Sequence, residues 1–359
     1  MPATAPRRRD RAPSAAGWSR YRGNAPRHLI AIGRALQARV LGELRDEHGH
    51  TAVRPSFTLP LSRLWSEGRP ISALAGELGI SAQACSQLVA SIEDAGYLER
   101  RPNPEDGRSR VVRLTARGRA LIEESVRILL TCDAEYASLV GAGAYQRFTT
   151  ALAALYRGLG LPAHADPALV ARAGRSLGVL PVIAAWIEQR LLETAVARGH
   201  AGLKLSFGAV LPHIGPDGAR IHEIARSQGV SRQAVHATTR ELESQGYVQR
   251  RPDPRDRRGS ALALTRRGAE LIADSVAATD ALEGTFRAIL GARRFALVER
   301  VARDLYQALA LDASAPAAGV VLDLERLAVQ LRGQLGAADS ARLAALLGDR
   351  TPKTQGATP

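Results

Sequence analysis

Two short stretches of the chain set a carboxylate two residues ahead of a guanidinium inside a turn: Asp106-Gly107-Arg108 and Asp256-Arg257-Arg258. On a tight hairpin such a carboxylate can brace the guanidinium and aim it outward. An Arg held in this way suits the narrow, electronegative minor groove of A·T-rich DNA. Arg100, Arg101, Arg110 and Arg113 flank the first turn, and Arg250, Arg251, Arg255 and Arg257 the second. These flanking cations are expected to meet phosphates, which position a protein on a duplex without reading its sequence.

The distribution of charge supports a polyanionic partner. The net charge is +14, and residues 1–27, 100–119 and 250–267 each carry seven Arg against one, two and two acids, leaving the remainder slightly negative. Clustered guanidinium groups repel one another, and a polyanion relieves that repulsion while releasing its own counterions. Solvated surface Arg would be spread more evenly.

Other chemistries find little footing. Cys85 and Cys132 are the two cysteines, which argues against a disulfide scaffold and fits a reducing cytoplasm. Cys85 aligns with Val235 and is expected in the core, and Cys132 has no basic neighbour close in sequence to activate it. Of the eight His, His48 and His50 lie close together, at a helix end without further ligands around them. Glu123 and Glu124 are expected on a solvated helix face. No nucleophile elbow, phosphate loop or zinc-catalytic motif is visible, so neither catalysis nor a cofactor is expected. The longest apolar stretch, Leu177 to Ile187, is too short to span a bilayer, and no apolar segment follows Arg7-Arg8-Arg9 to make an export signal. A cytoplasmic, nucleoid-associated protein is expected.

The elements that must hold these residues come twice. Shifting the sequence by 150 positions aligns residues 71–125 with 221–275 without a gap, and 22 of the 55 pairs are identical. Gly49-His50 and Gly199-His200, Phe57 and Phe207, and Tyr156 and Tyr306 match at the same offset, so the duplication covers about 28–161 and 178–311. The apolar spacing of Leu29, Ile32, Leu36, Val40 and Leu44 predicts a helix over 28–48, followed by a helical stretch near 56–66. A short helix over 70–78 stops at Gly79, and Ser81 caps a second one running to about Ala95. Strands follow at Leu98–Arg101 and Val111–Leu114. Thr115 caps a long helix to about Val140, and a last helix spans Ala144–Leu159. Ser231 and Thr265 are the equivalent caps of the second copy.

A short helix, a glycine turn and a capped helix make the helix–turn–helix pattern. Packing Ile71, Leu74 and Leu78 against Cys85, Leu88, Val89 and Ile92 leaves Ala82, Gln83, Ser86, Gln87 and Ala90 facing outward beside the cap Ser81. In the second copy the outward set after Ser231 is Arg232, Gln233, His236, Ala237 and Arg240. A major groove admits one such helix, and polar or Arg side chains near its N-terminus can reach base edges. A plain protein-contact module would account for the packing but not for the Arg-rich hairpin that follows at once.

The order of two helices, Gly-Tyr, strand, Asp-x-Arg loop, strand and Leu-Thr-x-x-Gly resembles the MarR (multiple antibiotic resistance regulator) family. Leu114-Thr115-Ala116-Arg117-Gly118 and Leu264-Thr265-Arg266-Arg267-Gly268 carry the last motif. The resemblance implies a mainly α fold with small β-hairpins. It also implies two tandem winged helix-turn-helix domains forming a single-chain pseudo-dimer, with 28–48 and 144–159 packed against 178–198 and 293–310. The implied function is sequence-specific double-stranded DNA binding by a ligand-responsive repressor. Its effector would be a small aromatic or phenolic anion, and the chain would act as a monomer. An architectural or protein-interaction module with little sequence preference is the alternative.

The expected organisation is a basic disordered tail over 1–26, winged-helix domains over 27–161 and 177–312, and a linker over 162–176. A helical extension over 313–349 and a disordered tail over 350–359 complete it.

Overall fold

The computed structural model describes residues 15–65, 68–103, 110–161, 177–215, 218–228, 232–253 and 256–311. The linker over 162–176, the expected helical extension over 313–349 and the tip of the first wing lie outside these residues. Among the described residues the fold is mainly helical with small antiparallel sheets, and two winged-helix regions follow each other in tandem. They fall into two compact units: residues 32–161 with 177–181, and residues 15–31 with 182–311.

In the first-repeat unit, α2 (Ala25–Asp46) leads through a 3-10 turn at Pro55–Phe57 into α3 (Thr58–Arg63). The helix expected near 56–66 is therefore shorter and begins as 3-10, because Pro55 opens the segment and Pro60 interrupts it. Next come α4 (Ile71–Leu78) and α5 (Ala82–Asp94). Between them Gly79 adopts the left-handed conformation at φ 67°, and the Ile80 N–H returns to the Ala75 carbonyl at 3.1 Å. Ser81 caps α5 by accepting the Ala84 N–H at 3.2 Å.

The wing strands are β2 (Leu98–Pro102) and β3 (Arg110–Leu114). A third strand, β1 (Arg69–Pro70), pairs with Val111 and Val112 of β3, which sequence reading did not foresee. The long α6 (Ala116–Val140) and α7 (Ala142–Gly158) follow.

The Leu-Thr-x-x-Gly motif has a mechanical origin. Thr115 caps α6 by accepting the Gly118 N–H at 3.0 Å, and its hydroxyl donates to the Gly96 carbonyl at 2.7 Å. The hydroxyl thereby ties the long helix to the Gly-Tyr turn. A Cβ at position 118 would meet the Tyr97 carbonyl oxygen at 2.2 Å, so the helix start can press on that turn only with glycine there. Thr265 and Gly268 repeat the arrangement, with the Tyr247 carbonyl oxygen 2.1 Å from a Cβ at 268.

The second-repeat unit carries α8 (Leu180–Ala197), two 3-10 turns, α9 (Ile221–Gln228), α10 (Arg232–Ser244), β4 (Val248–Asp253), β5 (Asp256–Leu264), α11 (Arg266–Leu290) and α12 (Ala292–Ala308). Its winged lobe closes over one apolar cluster that includes Phe207, Ile214, Ile224, Val235, Leu242, Tyr247, Leu262 and Leu271.

One expectation is corrected here. The tail read as disordered through residue 26 contains a helix, α1 (Ala15–Arg22), and α2 begins at Ala25. Trp18 and Tyr21, three residues apart and so on one face, are buried against Ile272 of α11. Arg20 donates to Asp280 at 2.6 Å and also pairs with the buried Glu283, whose other oxygen accepts the Ala25 N–H at 3.2 Å. The Arg22 Nε donates to the Pro212 carbonyl at 2.7 Å. The Arg, Ala and Ser around the two aromatic residues masked this docking face.

Position 133, which aligns with 283, plays a similar part in the other unit. Asp133 accepts the Leu177 N–H at 3.0 Å and the Tyr145 hydroxyl. Burial pushes its carboxyl above the usual carboxylate range, and those two donors pull it part of the way back.

Candidate nucleic-acid interface

On α5, Ser81, Ala82, Gln83 and Gln87 are exposed, while Ser86 and Ala90 are half-buried; Cys85, Val89 and Ile92 turn inward. On α10, Arg232, Gln233, His236, Ala237 and Arg240 are all exposed, and Val235 and Leu242 are buried. The expected outward sets therefore stand on the outer faces of both helices. Ser231, the expected second cap, lies outside the described residues.

The two faces differ in character. The first offers amides, a hydroxyl and methyl groups, and the second two guanidinium groups, an amide and an imidazole. No carboxylate among the described residues pairs with Arg232 or Arg240.

Asp106 and Arg108 lie outside the described residues. Asp256, Arg257 and Arg258 belong to β5, but their side chains lie outside the described set, as does Arg255.

Several flanking cations are already engaged. Arg100 lies 3.1 Å from Glu93, Arg101 donates to Glu99 at 2.9 Å, and Arg250 donates to Glu243 at 3.0 Å. The Arg101 guanidinium holds the Glu99 carboxyl below its usual range. Each of these Arg would have to exchange a carboxylate of its own domain for a phosphate. Arg110 and Arg251 are exposed and have no such carboxylate partner among the described residues.

A repeated constellation supports the base of each wing, and sequence reading passed over it. His50 Nδ1 lies 3.2 Å from the Tyr97 hydroxyl, and its Nε2 lies 2.8 Å from Glu124. In the second copy His200 Nδ1 lies 3.3 Å from the Tyr247 hydroxyl and Nε2 3.1 Å from Asp274. The guanidinium groups of Arg117 and Arg267 stand over the two tyrosine rings at 5.3 and 4.8 Å.

Glu124 is thus half-buried and bonded to a buried His, which corrects the expectation of a solvated face. The signal was available in the sequence, since His50 and His200, and Tyr97 and Tyr247, are identical pairs at the repeat offset. Beside the second constellation opens a cavity of about 520 Å³ lined by Arg198, His200, Arg266, Arg267, Glu270 and Asp274.

Both cysteines are buried, and burial pushes the Cys132 thiol up to about 12 and raises that of Cys85. Neither is a ready thiolate. No group of three or more His, Cys, Asp or Glu able to hold a metal occurs among the described residues. No helix there is long and apolar enough to cross a membrane.

A model of the MarR family matches the chain over residues 66–109 and again over 208–259. Both segments contain the helix pair and the start of the wing, once in each copy. No curated protein matches the chain.

Proposed function

We propose, from the premise that this chain is a tandemly duplicated member of the MarR family of winged-helix regulators, that it binds double-stranded DNA sequence-specifically and acts as a ligand-responsive repressor. The observation that carries this reading is the twofold outward face. In each copy a short helix is followed by a second helix with exposed polar or Arg side chains, and an Arg-flanked hairpin follows. The helices read base edges in the major groove, and Arg108 and Arg258 enter the minor groove.

The two copies act together as a single-chain counterpart of a dimer. They read half-sites of an imperfect palindrome about 10 base pairs apart. The second copy contributes more of the direct readout, because Arg232, His236 and Arg240 stand where the first has Ala82, Ser86 and Ala90. The cavity beside His200 is lined by three guanidinium groups against two carboxylates, and this excess of positive charge supports response to a small anionic effector.

Selection from a random DNA pool followed by competition tests this. Specific binding should exceed random-sequence binding by about a thousandfold or more, with two unequal half-sites. A ratio near one would instead identify an architectural protein, and two identical half-sites with equal protection would overturn the asymmetric readout.

A further inference from the structure

Asp253 ends β4 and pairs in register with Asp256 at the start of β5, so it stands at the far end of the second wing. A carboxylate in that place would ordinarily be solvated, yet the Asp253 side chain is only 3% exposed. It accepts a hydrogen bond from the Nε of Arg220, the residue immediately before α9.

The segment carrying Arg220 is itself fastened to the wing. Ala219 and Leu262 of β5 exchange both backbone hydrogen bonds, at 3.0 and 2.8 Å. Gly218, at φ 86°, lies so close to β5 that a Cβ would meet the Leu262 carbonyl oxygen at 2.6 Å. The Arg220 N–H donates to Glu223 at 3.1 Å, which fixes the residue at the head of α9. From the far side of β5, Arg220 therefore reaches the distal end of β4.

The aligned positions of the first copy cannot form this pair. At the aligned positions stand Pro70 and Asn103. Arg69, one residue earlier, pairs at 2.5 Å with Glu77 of α4 and so leads away from the hairpin. Its wing is joined to the preceding segment through the β1–β3 backbone pairing.

We propose that Arg220 and Asp253 are positioning residues that fix the second wing to its helix pair before DNA arrives. This rests on the DNA-binding reading above and extends it, because the buried carboxylate is not expected to touch the duplex. A desolvated, hydrogen-bonded ion pair holds one geometry far better than a solvated one. A wing already in place loses less freedom on binding than one ordered by the DNA. The second half-site is therefore gripped by a preset domain, and the first by a wing that lacks this ionic brace.

The test uses the full chain and the selected operator. Asp253→Asn is expected to weaken specific binding about tenfold, the order of one charge-assisted hydrogen bond. Protection of the minor groove should fade at one half-site while major-groove protection beside it persists. The slope of affinity against salt should stay unchanged in both Asp253→Asn and Arg220→Gln, because no phosphate contact is lost. A slope reduced by about one in Arg220→Gln would make it a direct phosphate contact and overturn the proposal.

The exchanged pair, Arg220→Asp with Asp253→Arg, should recover part of the affinity. The transplant Pro70→Arg with Asn103→Asp should strengthen protection at the other half-site. Amide exchange in the DNA-free chain supplies an independent readout. Residues 248–264 should exchange faster in Asp253→Asn, with the helix pair unaffected; unchanged exchange there overturns the proposal whatever the DNA result. Absence of specific binding by the unaltered chain would overturn the DNA-binding reading instead.

Discussion

The two copies share one design and differ where they hold outside segments and on the outer faces of α5 and α10. In the second-repeat unit, Glu283 receives the head of α2 within a charged network of Arg20, Asp280 and the Ala25 N–H. In the first-repeat unit, Asp133 receives the Leu177 N–H beside the Tyr145 hydroxyl, with no guanidinium at that carboxylate among the described residues. One contact is ionic, and the other relies on neutral donors to a carboxyl that burial drives toward its protonated form. The outer faces of α5 and α10 diverge in the same sense, α10 being cationic there and α5 neutral. A duplicated scaffold has kept its caps and glycines while its charges have come to differ between the copies.

Under the proposed function, α5 and α10 should show the largest contrast. Replacing Arg232 and Arg240 together with Ala is expected to weaken specific DNA binding by about a hundredfold, and Gln83→Ala by about tenfold, measured by gel shift against the selected operator. Equal losses would erase the asymmetry.

Next in size is the charged contact. Glu283→Ala leaves the Ala25 N–H without its acceptor and Arg20 with Asp280 as its remaining carboxylate, and should cost the second-repeat unit about 2 kcal/mol. Tryptic cleavage after Arg20 or Arg22 should then quicken by about thirtyfold, since cleavage follows local opening.

Asp133→Asn should cost less than about 1 kcal/mol, because an amide oxygen can still accept from Leu177 and Tyr145. Its signature lies in pH. With its carboxyl raised, the folded chain holds that proton more tightly than the unfolded chain does. This contribution to stability is therefore full at low pH and is lost as pH rises from the ordinary Asp range through the raised value. Urea melts across that window should flatten in Asp133→Asn.

The smallest effect concerns the thiols. Mild oxidant should leave DNA binding unchanged, and Cys85→Ser with Cys132→Ser should behave the same, because neither buried thiol offers a thiolate.

What could be read from the sequence was what short-range hydrogen bonds write into it. Ser81, Thr115 and Thr265 were identifiable as caps because each closes a bond three residues away, and Gly79 because the turn needs a left-handed residue. The outward sets on α5 and α10 followed from helical periodicity alone.

The features that escaped pair residues distant in the chain. The His50–Glu124 bond spans 74 positions and Arg220–Asp253 spans 33. Strand β1 is only two residues long and exists through its pairing with β3. Helix α1 is short and rich in Arg, and what holds it is a surface on α11 that begins some 250 residues later. No local pattern records such partners.

The docking of α1 also sets an order of events during synthesis. Arg20 leaves the ribosome long before Asp280, its partner 260 residues downstream. At about 5–20 residues per second that interval is on the order of half a minute. For that time Trp18 and Tyr21 lack Ile272, the partner they pack on in the fold, while the first winged lobe is already long enough to close. The residues of α1, made well before the surface that receives them, are therefore among the last of their unit to settle.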